Sequence, residues 1–306
     1  MIRLLTRRLL LGAVTILCIY AVTFVMVVTL PGNPFQQGQH NLSVETEMAL
    51  RSRYGMDDNW SFFWKFLGRA IRGDFGPSFS YADWTCTQII ADALPVSMLL
   101  GFLAILIAVL VGVPIGALSA VRRNGWFDVT TLAFVLIGVS LPTFVTGSAL
   151  LTLFAVYWPV APIGGWGTLA HLPLPAITLA LPFTAYVARL TRAGMLDVLG
   201  SDFIRTALAK GLSRRVVITK HALKVAFLPV LSFLGPATAQ AMTGSFVVEK
   251  VFGVPGLGQH FVNAALNRDV GLIMSTVLVF STLLVVFNIV VDLLYAWIDP
   301  RITHAA

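Results

Sequence analysis

Long apolar runs separated by shorter polar stretches make up most of this sequence. Six windows are free of charged side chains, apart from Asp292 in the last of them. They span Leu9–Leu30, Ser97–Ala120, Val129–Trp158, Leu172–Ala188, Val225–Val248 and Val270–Trp297. A bilayer core takes about 20 apolar residues per helix, and a charge at its centre costs at least about 2.5 kcal/mol. The pattern therefore predicts six transmembrane helices and an all-α integral membrane protein.

Prolines interrupt two of these predicted spans. Val129–Trp158 is longer than one bilayer crossing and contains Leu141-Pro142, which predicts one tilted or kinked helix rather than two short ones. Leu172–Ala188 is predicted to be irregular at its outer end because it holds three prolines, Pro173, Pro175 and Pro182. Irregular backbone in a membrane has to be buried in protein or face a water-filled cavity. The sequence favours neither of two interpretations of this kink: it either serves helix packing or lines a pathway.

The composition changes the range of possible functions. The chain of 306 residues is 57% hydrophobic and 11% charged, whereas soluble domains carry about 25% charged residues. An ordinary soluble enzyme is therefore excluded. The net charge of +7 could attract nucleic acid, but the basic residues are distributed as they are in membrane proteins of defined topology. We therefore expect no nucleic-acid partner.

Lysine and arginine concentrate on one side of the predicted membrane. With a cytoplasmic N-terminus, the inner side holds the basic N-terminal residues, Arg122, Arg123 and eight basic residues from Arg189 to Lys224. The outer side holds Lys250, Arg268 and five basic residues between positions 51 and 72, which lie in the long segment 31–96. Long segments translocate largely regardless of charge, so these five carry little weight. The bias predicts that both termini lie in the cytoplasm.

The outer segment between the first two spans is too small for a catalytic domain. Aromatic and aliphatic residues from Trp60 to Ile71, interleaved with Lys65 and Arg69, predict an amphipathic helix at the membrane interface. Asp74–Ser78 follows as a turn. A second outer segment, Glu249–Asp269, is predicted to be a compact glycine-rich loop.

The inner segment Arg189–Lys224 is the most informative part of the chain. It predicts a helix over Asp202–Lys210, a break at Gly211 and a second helix over Arg214–Leu223 with Ser213 as its N-cap. Such an element, held by two spans, could present a short helix to a cytosolic partner. Alternatively, its charges only enforce topology and bind anionic lipid.

Motifs for chemistry are absent from the sequence. It contains no P-loop for nucleotide phosphates and no His/Cys cluster for a metal, so we expect neither catalytic residues nor a metal site. Asn288 and Asp292 lie four residues apart on the last span, where a structural contact to the basic inner segment is favoured over a functional role. A stand-alone membrane enzyme or channel that uses these two residues stays open as an alternative.

Five motifs, in the order in which they occur, resemble one family. They are Gly73–Phe79, Phe203–Leu212 with Lys220–Lys224, Glu249–Gly258, Asn267–Asp269 and Asp292–Arg301. Together they resemble the ABC importer permeases of the dipeptide, oligopeptide and nickel branch, and most of all the B-type subunits of oligopeptide systems. The resemblance covers essentially the whole chain.

This resemblance implies six transmembrane helices in the type I ABC importer permease fold, with a cytoplasmic coupling helix that docks on an ATPase. It divides the chain into an N-terminal anchor helix (1–30), an external segment (31–96) and a five-helix core (97–306) whose coupling loop is 189–224. Arg205-Thr206-Ala207 and Gly211 take the place of the family pattern E-A-A-x-x-x-G. His221–Lys224 occupies the position of the family pattern I-x-L-P, whose proline is missing here. The implied coupling residues are Arg205, Thr206, Ala207, Lys210, Gly211, Ser213, Arg214 and Arg215.

The resemblance also implies two further groups of residues. A face for the external binding protein, or a gate, comprises Asp74, Gly76, Ser78, Phe252, Pro255, Gly256 and Gly258. Polar or proline positions on the pathway or at its inner end are Pro142, Gln240, Asn288 and Asp292.

The implied function is ATP-driven import of peptides, oligopeptides foremost, across the bacterial cytoplasmic membrane by alternating access. The implied partners are a second homologous permease subunit, two cytosolic ABC ATPase subunits, an external substrate-binding protein, the peptide and membrane lipid. ATP and Mg²⁺ would be used by the ATPases, and this chain would hold no cofactor and not be an enzyme. A nickel or dipeptide permease of the same architecture is the alternative within the family.

Overall fold

The computed structural model of the chain describes residues 2–29, 45, 48, 52, 58–81 and 83–298. Within these residues the regular structure is helical, and the one β-bridge joins Pro77 to Thr85. The helices, numbered here, are α1 (Ile2–Thr29), α2 (Asn59–Ala70), α3 (Cys86–Val121), α4 (Trp126–Ser140), α5 (Thr143–Tyr157), α6 (Pro173–Leu199), α7 (Asp202–Ala209), α8 (Arg214–Ala226), α9 (Leu228–Met242), α10 (Phe246–Phe252), α11 (Leu257–Leu266) and α12 (Val270–Ile298). Both α5 and α8 contain a π-helical turn, at Thr152–Tyr157 and at Val217–Ala222.

Within the described residues, four stretches of helix are long and apolar enough to cross a bilayer, namely Thr6–Thr29, Cys86–Val121, Leu169–Leu199 and Val270–Leu294. Two further spans are broken helix pairs, which brings the total to six. The pair α4 and α5 bends by 104°, and the pair α8 and α9 bends by 52°. The predicted number of spans is therefore confirmed, provided that each bent pair crosses once.

The prediction of a single kinked helix over Val129–Trp158 is wrong. At the junction Leu141 has φ −79° and ψ 127°, an extended conformation that ends α4, and α5 begins again after Pro142. A residue before proline is pushed out of the helical region by the proline ring, and proline itself has no amide proton to continue the ladder. The combination separates two helices instead of bending one.

Two other boundaries differ from the predictions. The outer end of Leu172–Ala188 is regular, because Pro173 and Pro175 lie in the first turn of α6, where no amide hydrogen bond is needed. The span predicted over Val225–Val248 is broken at Phe227, and its second part ends at Met242. Gly244, at φ +94°, provides the chain reversal that follows.

The chain packs as two compact units, Met1–Ser97 with Pro255–Val286 and Met98–Val254 with Phe287–Ala306. In the first unit, α2 packs on α1 through three buried phenylalanines, and the Tyr20 hydroxyl donates to the Phe63 carbonyl at 2.7 Å. The predicted helix is thus confirmed, while its position at the membrane interface stays a prediction. Its apolar face lies on protein, and its exposed face carries Trp60 and Trp64.

Close helix contacts in the second unit depend on glycine. A Cβ at Gly116 of α3 would lie 2.3 Å from the Ala188 carbonyl oxygen of α6, and a Cβ at Gly194 would lie 2.6 Å from that of Ala226. Contacts this short exclude any side chain, so the backbones themselves touch, as is common between membrane helices. Near the inner end, a buried cluster of Ala120, Met195, Ile204, Ala207, Val217, Ala222 and Ala226 joins α3, α6, α7 and α8.

Candidate functional site: a coupling helix and an outer clasp

The inner segment forms a short helix held between two spans. The spans α6 and α8 flank the eight residues of α7, which begins after Ser201 and ends at Ala209. Ile204 and Ala207 are buried in the apolar cluster that joins α7 to α3, α6 and α8. The predicted helix and its break at Gly211 are confirmed. Residues 189–199, however, belong to α6 and do not form a loop.

The opposite face of α7 is open to solvent. Arg205 is exposed there beside Asp202, with Nη1 of Arg205 3.2 Å from Oδ1 of the aspartate. Phe203 and Leu208, each 46% exposed, lie at the two edges of the buried face. Of the predicted coupling residues, Thr206 and Lys210 are also exposed and Ala207 is buried.

Gly211 has φ +79°, a conformation that favours glycine, and a Cβ built there meets no atom within 4 Å. The chain turns here and enters α8. Ser213 occupies the predicted N-cap position, but its side chain makes no capping hydrogen bond. Both Arg214 and Arg215 are exposed at the start of α8.

The outer motifs meet at one carboxylate in the first unit. Asp269, which is fully buried, accepts a short hydrogen bond from the Ser78 hydroxyl and further bonds from the amides of Phe79 and Ser80, each at 3.0 Å. Its other oxygen accepts from the Leu272 amide at 3.0 Å, which caps α12. We call this arrangement the Asp269 clasp, because it fixes the turn over residues 73–81 to the start of the last span.

Most residues of the predicted binding-protein face lie below the surface. Asp74 and Pro255 are exposed, and the buried members are Gly76, Ser78, Phe252, Gly256 and Gly258. The Asp74 carboxylate accepts from the Gly76 amide at 2.9 Å and thereby closes the predicted turn. In the second unit, the Phe252 carbonyl accepts from the Gly165 amide at 2.8 Å. The buried members shape their loops, and contact with a binding protein stays a prediction.

Comparison with known proteins decides the family. Residues 112–304 match the family described as binding-protein-dependent transport system inner membrane component. The chain belongs to this family. It is therefore a multi-pass component of a bacterial inner-membrane transport system.

Full-length relatives support the assignment. The chain is 42% identical to the oligopeptide transport system permease protein OppB of Salmonella typhimurium, over 99% of this chain and 100% of the relative. It is 40% identical to the dipeptide transport system permease protein DppB of Bacillus subtilis, over 95% of this chain and 94% of the relative. Among solved structures, the inward-facing MetNI methionine ABC transporter covers 69% of this chain with a TM-score of 0.57 and 18% identity. The fold is that of a type I ABC importer permease.

The predicted pathway residues of this permease differ in their exposure. Pro142 and Gln240 are exposed, and Asn288 and Asp292 are partly buried. Asn288 packs on α9, where its side-chain oxygen would lie 2.9 Å from a Cβ at Gly235. Their assignment to a pathway, like the inner-segment contact expected for Asp292, stays a prediction.

A buried ion pair in the permease core was not predicted. Asp128 of α4 is 2% exposed and accepts from Nε and Nη2 of Arg192 on α6, at 2.6 and 2.8 Å. It also accepts from the Ser119 hydroxyl of α3 and from the Asn124 amide at 2.9 Å. The signal was available in the sequence, since Asp128 is the only charge in the first turn of an otherwise apolar helix. Its partner, 64 residues away, could not be identified from spacing alone.

Proposed function

We propose that this permease translocates peptides, oligopeptides foremost, as one of two non-identical permease subunits of an ATP-driven importer. Two cytosolic ATPase subunits would bind ATP and Mg²⁺, and an external binding protein would deliver the peptide. This chain would hold no cofactor or metal and would carry out no catalysis. The observation that carries the proposal is α7, a short helix that is anchored by the buried Ile204 and Ala207 on one side and exposes Arg205 and Thr206 on the other.

The proposed mechanism is alternating access. Closure of the ATPase subunits would displace α7 as a rigid body, and the buried contacts of Ile204 and Ala207 would transmit the displacement to α3, α6 and α8. A packed helix can transmit such a movement, whereas a flexible tether cannot. In this scheme both termini lie in the cytoplasm, and the Asp269 clasp lies at the outer side, where it would hold the turn over residues 73–81 for the binding protein.

Affinity purification in mild detergent, followed by mass spectrometry of stoichiometric partners, tests the assembly. We expect a second permease and P-loop ATPases. Recovery of the chain alone, under conditions that preserve a known ABC complex, would instead favour a stand-alone membrane enzyme or channel.

Uptake into proteoliposomes then tests the substrate. Labelled pentapeptide, dipeptide and Ni²⁺ are compared in the presence of the binding protein and ATP. We expect uptake of the labelled pentapeptide to be reduced by unlabelled pentapeptides and to be unchanged by Ni²⁺. The dipeptide is a true second candidate because a full-length relative at 40% identity is named a dipeptide permease.

A further inference from the structure

A cavity of about 410 Å³ lies at the base of α7, within the second unit. Its apolar side chains come from α3, α6, α7 and α8, and they are Ala120, Val121, Leu196, Leu199, Ile204, Leu208, Val217 and Ile218. Two cationic side chains, Arg123 and Arg214, complete the lining, and no carboxylate does. The lining therefore combines apolar side chains with two positive charges.

Both arginines are exposed, and in the described part of the chain neither takes part in an ion pair. By contrast, Arg192 and Arg205 are paired with Asp128 and Asp202. Two uncompensated guanidinium groups beside an apolar cavity are complementary to an anion that carries a hydrocarbon chain. Guanidinium groups bind phosphate oxygens in a bidentate manner, which suits a phosphodiester.

Neighbouring residues indicate that this cavity lies at the level of the lipid head groups. Trp126, three residues after Arg123, is 75% exposed at the start of α4, and exposed tryptophan is enriched at membrane interfaces. The guanidinium of Arg122 lies 6.0 Å from the centre of the Phe127 ring. Basic pockets between transmembrane helices on the cytoplasmic side are known to bind anionic lipid head groups.

We infer that the cavity binds an anionic phospholipid, whose phosphate lies between Arg123 and Arg214 and whose acyl chain enters among the apolar walls. Because Ile204 and Leu208 line the cavity, the bound lipid contacts α7 directly. The lipid therefore adds to the contacts that hold α7 on the spans. This inference goes beyond the proposed transport function and does not depend on the identity of the substrate.

Lipid retention by the full chain, with any partner subunits that copurify, tests the inference without ATP or peptide. The protein is equilibrated in detergent with equal amounts of phosphatidylglycerol and phosphatidylcholine, and retained lipid is measured by native mass spectrometry. Arg123→Gln is expected to weaken phosphatidylglycerol retention about fivefold, the effect of one basic side chain near an anionic surface. Phosphatidylcholine retention should not change.

Two further variants make the test specific. Arg122→Gln removes the same charge from the neighbouring residue, which does not line the cavity, and should retain phosphatidylglycerol as the wild type does. Gly200→Phe places a ring at a lining position where a Cβ meets nothing closer than 4.0 Å, so it should block the cavity without strain.

Equal retention by the wild type, Arg123→Gln and Gly200→Phe would overturn the inference. If Arg122→Gln lost as much phosphatidylglycerol as Arg123→Gln, the inference would also be overturned, because the lipid would then be attracted by basic charge in general. Retention that an excess of inorganic phosphate abolishes would assign the arginines to a free anion and would also overturn it.

Discussion

The Asp128 carboxylate bonds to both Nε and Nη2 of Arg192, at 2.6 and 2.8 Å, and so joins α4 to α6. The pair is asymmetric, because the Asp128 side chain is 2% exposed while that of Arg192 is 21% exposed. Without its partner, Arg192 could still reach water, whereas Asp128 would remain buried with only a hydroxyl and one amide as donors. Removing the arginine should therefore cost more than neutralising the aspartate.

We predict that Arg192→Leu lowers the free energy of unfolding by about 3 kcal/mol, the usual cost of leaving a buried charge unpaired. Asp128→Asn should cost less, and the double variant should recover part of the loss. The measurement is thermal unfolding in detergent, followed by size-exclusion chromatography. Arg189→Leu, on an exposed position of the same helix, is the matched control. An equal loss in Arg189→Leu would contradict the prediction.

The Asp269 clasp gives a prediction on the outer side. Asp269→Asn removes the charge from an acceptor of four hydrogen bonds. A hydrogen bond to a charged group contributes about 1.5 to 3 kcal/mol to stability, so all four should weaken. We expect faster hydrogen exchange at the amides of Phe79 and Ser80 and reduced uptake. Asp83→Asn, an exposed carboxylate in the same segment, should leave both unchanged. Unaltered exchange in Asp269→Asn would show that the clasp does not hold the turn.

Gly211 provides a test of coupling. Gly211→Arg adds a side chain where there is open space, but at φ +79° it strains the backbone by about 1 to 2 kcal/mol. The protein should insert and be purified normally, while ATP-dependent uptake is lost because the connection between α7 and α8 is distorted. Gly200→Ala, at φ −83°, is the unstrained control. Normal uptake by Gly211→Arg at normal expression would remove α7 from the coupling pathway.

The basic start of α8 is predicted to contribute to ATPase association. Charge reversal at Arg214 and Arg215 should reduce the amount of ATPase that copurifies, and more strongly at low salt, because exposed charges are screened at high ionic strength. Arg215→Glu alone is the informative variant, since Arg215 does not line the lipid cavity. Copurification of ATPase at wild-type yield would mean that this charge only enforces topology.

His260 of α11 is predicted to make the first unit less stable in acid. Burial lowers the pKa of its imidazole, which packs against the Tyr81 ring with centroids 6.0 Å apart. The unfolded chain takes up a proton near pH 6.5 while the folded chain does not, so stability should fall as the pH drops below about 6.5. Thermal unfolding between pH 5 and pH 8 measures the slope. His260→Phe keeps the ring contact and should flatten the slope; an unchanged slope would exclude His260 as its source.

Local sequence was sufficient for most helical elements, but not for the end of α10 and for α11, which lie where a compact loop was predicted over Glu249–Asp269. The apolar windows located the spans, the alternation from Trp60 to Ile71 identified α2, and Gly211 marked the end of α7, because each depends on residues within a few turns of one another. The order of short motifs was likewise enough to indicate the family before any contact was known.

Only the tertiary structure decided which distant groups meet. It joined Ser78 to Asp269, 191 residues apart, and Asp128 to Arg192, and it placed most of the outer motif residues below the surface. It also converted one predicted kink at Pro142 into a break of 104°. Hydropathy and helix periodicity describe one segment at a time, whereas burial, ion pairing and the angle between two helices depend on the neighbours that each segment packs against.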